Sequence, residues 1–279
     1  MKLGEWTLDL VTDGLFGLDG GAMYGVVPRP LWEKKTPPDE RNRIRMAMNC
    51  WLVRGRGATI LIETGAGDKW DAKHADIYKF ETGNRLIERL AEKGVVPEQV
   101  DLVINTHLHF DHCGWNTRRA GDRLVPTFPN ARYIVQRGEF EHALRPNERD
   151  RASYLAENFA PIDEAGKWNL VEGDTEVERG IELIVVPGHT RDMQCVKIAG
   201  GGETAFLLAD LVPTRAHLPY PWIMGFDLYP MTTLENKKKW LPLLAREGWL
   251  CLFAHDADVP AARIRDRDGK FLAEPVAID

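Results

Sequence analysis

Four side chains able to bind a metal ion fall within six positions of the segment Val103-Ile104-Asn105-Thr106-His107-Leu108-His109-Phe110-Asp111-His112-Cys113-Gly114. In extended chain, residues two apart face the same side, so His107 and His109 can address one cation together. A turn into helix after them redirects Asp111 and His112 toward a second. Imidazole nitrogen and carboxylate oxygen suit zinc and other borderline first-row divalent ions. The bland alternative is four polar side chains, each satisfied separately at the end of one apolar strand. The cost of burying unpaired polar groups weighs against it.

Three more candidate ligands each follow an apolar run: His189 in Pro187-Gly188-His189-Thr190, Asp210 in Ala209-Asp210, and His255 in Ala254-His255-Asp256. A dinuclear site built from all seven has His107, His109 and His189 on one ion, Asp111, His112 and His255 on the other, and Asp210 between them. Two divalent ions, two carboxylates and one hydroxide leave about +1 among the ligands, which suits a developing oxyanion. His74, His142 and His217 stay outside the metal set, since an isolated histidine is more often a core or surface residue. Cys113 adjoins His112, yet neighbours at a helix start point in different directions, and it reads as a small buried hydrophobe.

This order of motifs, HxHxDH followed by Gly-His, a strand-terminal Asp and a final His, resembles the metallo-β-lactamase superfamily over nearly the whole chain. The resemblance implies an α/β fold, a four-layer αββα sandwich with the site along one edge of its paired sheets. Within the superfamily the chain is most similar to the branch that includes the N-acyl homoserine lactonases, through its intact ligand set, an early loop insertion and Ala254-His255-Asp256. That branch implies a hydrolase in which a metal-bridging hydroxide attacks a lactone carbonyl, with two Zn2+ ions, or Mn2+, Co2+ or Fe2+ in their place. Asp111 then binds metal and orients the nucleophile. Thioesters, phosphoesters and organophosphates fit the same ligands, and a diiron redox centre is the reading from another class.

Two positions depart from the pattern. Relatives carry Asp in the Leu-Ile-Asp-Thr-Gly motif, where it supports a ligand histidine; here the motif is Leu61-Ile62-Glu63-Thr64-Gly65, and Glu63 serves only if its longer side chain fits. Lactonases place a tyrosine three residues after the bridging Asp, where this chain has Pro213. His217, Tyr220 and Tyr229 are the downstream candidates for its role, and His217 and Tyr220 join Asp111 as the expected catalytic groups.

Short β-branched runs, Ala58 to Glu63, Val100 to Asn105, Arg132 to Val135, Ile181 to Val186 and Ala205 to Ala209, alternate with helical patterns such as Leu86, Ile87, Leu90 and Ala91 before Gly94. These are mixed α/β layers with the chemistry at strand ends. Asp13 to Arg45, rich in Gly and Pro, reads as a long irregular excursion before a strand from Cys50 to Val53. It either caps the pocket or, as the resemblance implies, lines a homodimer interface. From Pro213 to Pro230 four prolines forbid long helices, and Tyr220, Trp222, Phe226 and Tyr229 supply a pocket wall. The run Lys237-Lys238-Lys239 reads as a solvated helix face.

The 279 residues are 44% hydrophobic and show no repeat or linker, so one domain over 1–279 is expected. A net charge of −6 without single-sign blocks argues against nucleic acid or an anionic membrane surface and for a small ester-like substrate. No apolar run of membrane-spanning length and no signal-peptide core stand out, so the expected location is the cytoplasm. Cys50, Cys113, Cys195 and Cys251 form no CxxC pair and read as reduced, buried thiols.

Overall fold

Runs of apolar residues that must bury both faces build the centre of this protein, described by a computed structural model at residues 1–81 and 85–278. The strands are β1 (Lys2–Leu3), β2 (Trp6–Asp19), β3 (Arg43–Gly55), β4 (Ala58–Ile62), β5 (Leu102–Ile104), β6 (Thr117–Ala120), β7 (Arg123–Pro126), β8 (Arg132–Gln136), β9 (Trp168–Val171), β10 (Thr175–Glu178), β11 (Ile181–Val185), β12 (Gln194–Gly200), β13 (Glu203–Leu207), β14 (Leu250–Leu252), β15 (Ala261–Arg267) and β16 (Lys270–Pro275). One sheet has the order β1-β2-β3-β4-β5-β8-β9, and a second runs β10 through β16 in sequence order. β6 and β7 pair separately as a hairpin.

Alternation along the strands assigns the layers. Trp51, Val53, Ile60, Ile62 and Ile104 of the first sheet pack against Leu183, Val196, Ile198, Leu207 and Leu252 of the second. Their neighbours Cys50, Leu52, Leu61 and Val103 point the opposite way and meet Leu86 and Leu90, from the helix Arg85–Glu92. On the far side, Phe206, Cys251 and Phe253 meet Trp240, Leu241 and Leu244, from the helix Pro230–Glu247. The result is helix, sheet, sheet, helix, as expected. With apolar residues on both faces, these strands read as continuous hydrophobic runs.

The early excursion is more regular than its composition suggests. β2 and β3 pair from Leu15↔Ala47 to Asp19↔Arg43, so strand covers both ends of the segment read as irregular. Gly14, at φ +95°, sits in the bulge where the register shifts between Thr12 and Leu15. The glycine therefore marks a bulge within a strand rather than its end. Only the tip, residues 20–42, leaves the sheet, with short helices at Gly20–Tyr24 and Arg29–Trp32.

The lysine run is a second correction. Lys237 is fully buried, and its ammonium donates to the carbonyls of His217, Pro219, Tyr220 and Trp222. Burial lowers its pKa to about 7. Four oxygens from the proline-rich segment make this one position of the run an internal clasp, while Lys238 stays at the surface with Glu235. The segment itself has no long helix, only a turn of 3-10 helix at Arg215–His217. All four cysteines are buried and free, and no helix among the described residues is long and apolar enough to cross a membrane.

Candidate metal centre

Strand direction gathers the site. β4, β5 and β8 run parallel, as do β13 and β14, so the chain leaves β5, β13 and β14 at corresponding ends. Those exits lead to His107, Asp210 and His255, and the exit of β11 leads to His189. Backbone bonds sew the two sheets together at this edge: Gln194 N donates to Thr106 O at 3.0 Å, and Asn49 N to Ala254 O at 2.9 Å.

His109 is still extended, at ψ 154°, and Phe110–Cys113 is a single helical turn, so Asp111 and His112 are redirected as their spacing suggests. All seven expected ligands are buried and converge. Three overlapping sets, His107/His109/His189, His107/His112/Asp210 and Asp111/His112/His255, each have donor atoms within 4.8 Å of one another. Asp210 faces both ways. Its Oδ2 is 3.3 Å from His189 Nε2, and its Oδ1 is 3.2 Å from His255 Nε2 and 3.7 Å from His112 Nε2.

Three of the outer ring nitrogens have partners in the protein. His255 Nδ1 donates to Ala47 O at 2.9 Å, His189 Nδ1 to Asp227 Oδ1 at 3.0 Å, and His112 Nδ1 lies 3.3 Å from Glu63 Oε2. These partners leave the Nε2 lone pairs pointing inward. There His112 Nε2 and His255 Nε2 stand 3.0 Å apart, as do His189 Nε2 and His109 Nδ1. Two imidazole lone pairs so placed repel unless a proton or a cation lies between them. Asp210 Oδ1 and His107 Nε2 are also buried without a hydrogen-bond partner. This donor set fits divalent cations.

The protonation tendencies point the same way. Burial opposes charge on His112, but the carboxylates of Asp111, Glu63 and Asp210 outweigh it and hold its pKa well above the ordinary value. His189 is raised against burial by Asp210 and Asp227. Burial and then the neighbouring imidazoles hold His107 and His109 well below it. Asp210, despite burial, is held well below the usual carboxylate range by His255, His189 and His112. The carboxylates thus favour positive charge at His112 and His189, whereas His107 and His109 are held toward the neutral form that can ligate a cation.

The longer side chain at position 63 does fit. Glu63 sits at φ +66°, accepts from Thr106 N at 2.9 Å through Oε1 and turns Oε2 toward His112. Ala209, beside Asp210, is also left-handed at φ +47°. Such backbone costs about 1–3 kcal/mol per residue and persists only where surrounding contacts impose it. Glycine is required twice nearby. Gly65, at φ +59°, lies against the Asp13 side chain, and Gly188, at φ +148°, against Thr233, so a Cβ at either would collide.

Two supporting carboxylates escaped the sequence reading. Asp227 holds His189 and accepts from Thr233 Oγ1 at 2.6 Å. Glu139, its pKa raised by burial, accepts from Leu108 N, Tyr154 OH and Thr190 Oγ1, tying the HxHxDH segment to the Gly-His turn. Asp227 lies 38 residues from its histidine, and no local spacing marks either residue.

A cavity of about 160 Å³ opens onto this cluster. His109, Asp111, His189, Asp210 and His255 form its floor. Leu18 and Met23 of the early excursion and Met46 of β3, with Met224 and Phe226 of the proline-rich segment, form apolar walls. The excursion thus caps the pocket. Asp111 is placed in the cavity as expected, but His217 and Tyr220 are not among its lining residues. His217 Nε2 donates to Met23 O at 2.9 Å, its Nδ1 meets Thr214 Oγ1 at 2.8 Å, and its ring stacks on Tyr24. Burial pushes its pKa down to about 3. Tyr220 packs edge-on against Phe271 and lines a different groove. Tyr229 is half exposed and does not line the cavity. Cys113 donates its thiol to the Leu108 and His109 carbonyls, in keeping with a structural role. His74 and His142 pair with Asp71 and Asp150 outside the centre.

A paired-sheet sandwich carrying a buried histidine and aspartate cluster at its edge defines a metal-dependent hydrolase. The chain belongs to the metallo-beta-lactamase superfamily, whose pattern matches residues 45–255. A Staphylococcus aureus structure described as a "probable metal-dependent hydrolase" is 30% identical, covers all of both chains and superposes with a TM-score of 0.91. The N-acyl homoserine lactonase of Bacillus thuringiensis is 27% identical over 224 residues, 75% of this chain and 81% of that protein. AidC, described as a dizinc quorum-quenching lactonase in complex with a product, shares the fold at 20% identity and a TM-score of 0.82, over 99% of this chain and 96% of its own.

Proposed function

We propose that this chain is a dinuclear metal hydrolase that opens lactone rings. The observation that carries the reading is the convergence of seven buried candidate ligands, with Asp210 facing both histidine groups, beneath a cavity whose walls are largely apolar but include Tyr78, Arg149 and Ser153. Similarity to the Bacillus thuringiensis lactonase supports the substrate class. His107, His109 and His189 would hold one cation, Asp111, His112 and His255 the other, and Asp210 both. Cations held there would lower the pKa of water and polarise the substrate carbonyl.

The chain's own residues do the rest. Asp111 faces the cavity, where its carboxylate accepts a hydrogen bond from water and turns an oxygen lone pair toward the carbonyl carbon. Leu18, Met23, Met46, Met224 and Phe226 bury an acyl chain and keep bulk water from the reacting centre. Glu63 and Asp227 keep the ring nitrogens turned inward.

The test joins metal analysis to pH-stat hydrolysis of lactone, thioester and phosphotriester panels. About two zinc, manganese, cobalt or iron equivalents per chain and a preference for lactones are expected. Hydrolysis of thioesters or phosphotriesters with inert lactones would overturn the substrate class. An Asp210→Ala protein that kept both metals and full activity would overturn the bridged pair.

A further inference from the structure

We propose that Tyr78 is a further catalytic residue, its phenol donating a hydrogen bond to the leaving oxygen of a lactone or ester held against Asp111. The inference rests on the hydrolase reading above. Tyr78 lines the same cavity as Asp111, His189, Asp210 and His255. Its ring centroid lies 4.9 Å from that of Phe110, 5.5 Å from Phe80 and 5.5 Å from Trp70. Phe110 directly precedes Asp111, so this aromatic contact ties the phenol to the position of that carboxylate. The helix that ends in Tyr78, Ala72–Tyr78, is capped by the Asp71 side chain and closed by Lys79 at φ +49°.

Packing accounts for the ring but not for the hydroxyl, which has no hydrogen-bond partner among the described residues. Tyr78 is half-buried, and the fully buried phenols are spoken for. Tyr24 bonds Thr36, Tyr133 reaches Asn116 O, and Tyr154 donates to Glu139. Pro213 has no hydroxyl to offer, and Tyr220 lines another groove. Tyr78 is the tyrosine of the cavity wall, and the only other side-chain hydroxyl there is that of Ser153.

During hydrolysis the water oxygen bonds to the acyl carbon, the acyl carbon–oxygen bond breaks, and the proton lost by the water ends on the leaving oxygen. Tyr78 shares its proton with that oxygen and keeps it. Negative charge gathers there only as the bond breaks, so the donated O–H acts mainly in the transition state. An alkoxide leaving group needs such a donor, whereas a 4-nitrophenolate is stable without one.

The experiment compares wild type with Tyr78→Phe, both loaded with metal and matched in metal content and Tm. With an alkyl lactone, kcat should fall about 10–100-fold with KM changed less than about threefold. With a 4-nitrophenyl ester the loss should stay below about threefold, because the leaving group carries its own charge. Calorimetry supplies a readout free of turnover. Tyr78→Phe should weaken the ring-opened hydroxy acid about tenfold and leave its analogue without the hydroxyl unchanged. Equal losses on both substrates, or no loss on the lactone, would refute the role. If wild type cleaves neither lactones nor esters, the hydrolase reading itself fails. If wild type is active and Tyr78→Phe matches it in rate and binding, only the assignment of Tyr78 fails.

Discussion

Replacing Asp227 by Asn removes one negative charge and leaves the shape of the site intact. In the wild type, Asp227 Oδ1 accepts from His189 Nδ1 at 3.0 Å and Oδ2 from Thr233 Oγ1 at 2.6 Å, all three side chains being buried. Asn keeps a carbonyl oxygen for the imidazole and turns its NH2 toward Thr233, whose hydroxyl can rotate toward Tyr229 O, 3.4 Å away. The hydrogen-bond count survives, and the loss falls on the electrostatic support of His189. Removing such support weakens metal binding about 10–100-fold, or about 1.4–2.7 kcal/mol. Through mass action the metal-loaded protein loses a similar stability, whereas the metal-free protein changes by less than about 1 kcal/mol. Chelator competition with a chromophoric indicator reads the affinity, and urea unfolding with and without metal separates the two stabilities. One weakened site, one unchanged site and a nearly unchanged metal-free fold are expected. Wild-type affinity at both sites would refute the reasoning. So would equal destabilisation with and without metal, because Asp227 would then be a structural residue.

Glu63→Gln should weaken the other group of ligands. Its amide nitrogen would face His112 Nδ1 and favour the tautomer with the proton on Nε2, turned toward the cluster, and about tenfold weaker binding in the same chelator assay is expected. Acid should unfold the metal-free protein partly through His217. Its folded pKa, near 3, lies below the unfolded value of 6.5, so the unfolded state binds more protons between them. Stability present above pH 6.5 is therefore lost as pH falls toward 3, at up to about 1.4 kcal/mol per pH unit, and urea titrations of wild type and His217→Gln should differ in that slope. Tyr220→Phe should leave kcat and KM for lactones within about twofold of wild type, since the phenol lies outside the cavity. A tenfold loss would return Tyr220 to the active site.

Much of the centre was legible because its information is local. Period-two geometry puts His107 and His109 on one side, a single helical turn swings Asp111 and His112 round, and each later ligand directly follows an apolar run. Mixed α/β layers were legible from β-branched runs alternating with helical patterns, and the four-layer order came from the family resemblance. In the structure, successive residues of one strand, such as Trp51 and Leu52, bury into different cores. The early excursion was harder because Gly14 breaks the local pattern, although a partner more than thirty residues away restores the strand. Lys237 was hidden for the same reason. Its neighbours in sequence suggest water, while the four carbonyls that accept its hydrogen bonds belong to a loop 15 to 20 residues earlier.

The sequence by itself determined the candidate ligand types, their order and the strand ends that carry them, because those follow from residue chemistry and the repeat of an extended chain. Only the tertiary structure decided which hydroxyl and which carboxylates stand beside those ligands. Asp227 meets His189 across 38 residues and Glu63 meets His112 across 49, while Tyr78 enters the cavity from a separate helix. Contacts of that span are set by how sheets and loops pack, and no spacing along the chain encodes them. The same packing keeps His217 and Tyr220 out of the cavity lining, the ring nitrogens of His217 meeting Thr214 and Met23 and the ring of Tyr220 packing edge-on against Phe271.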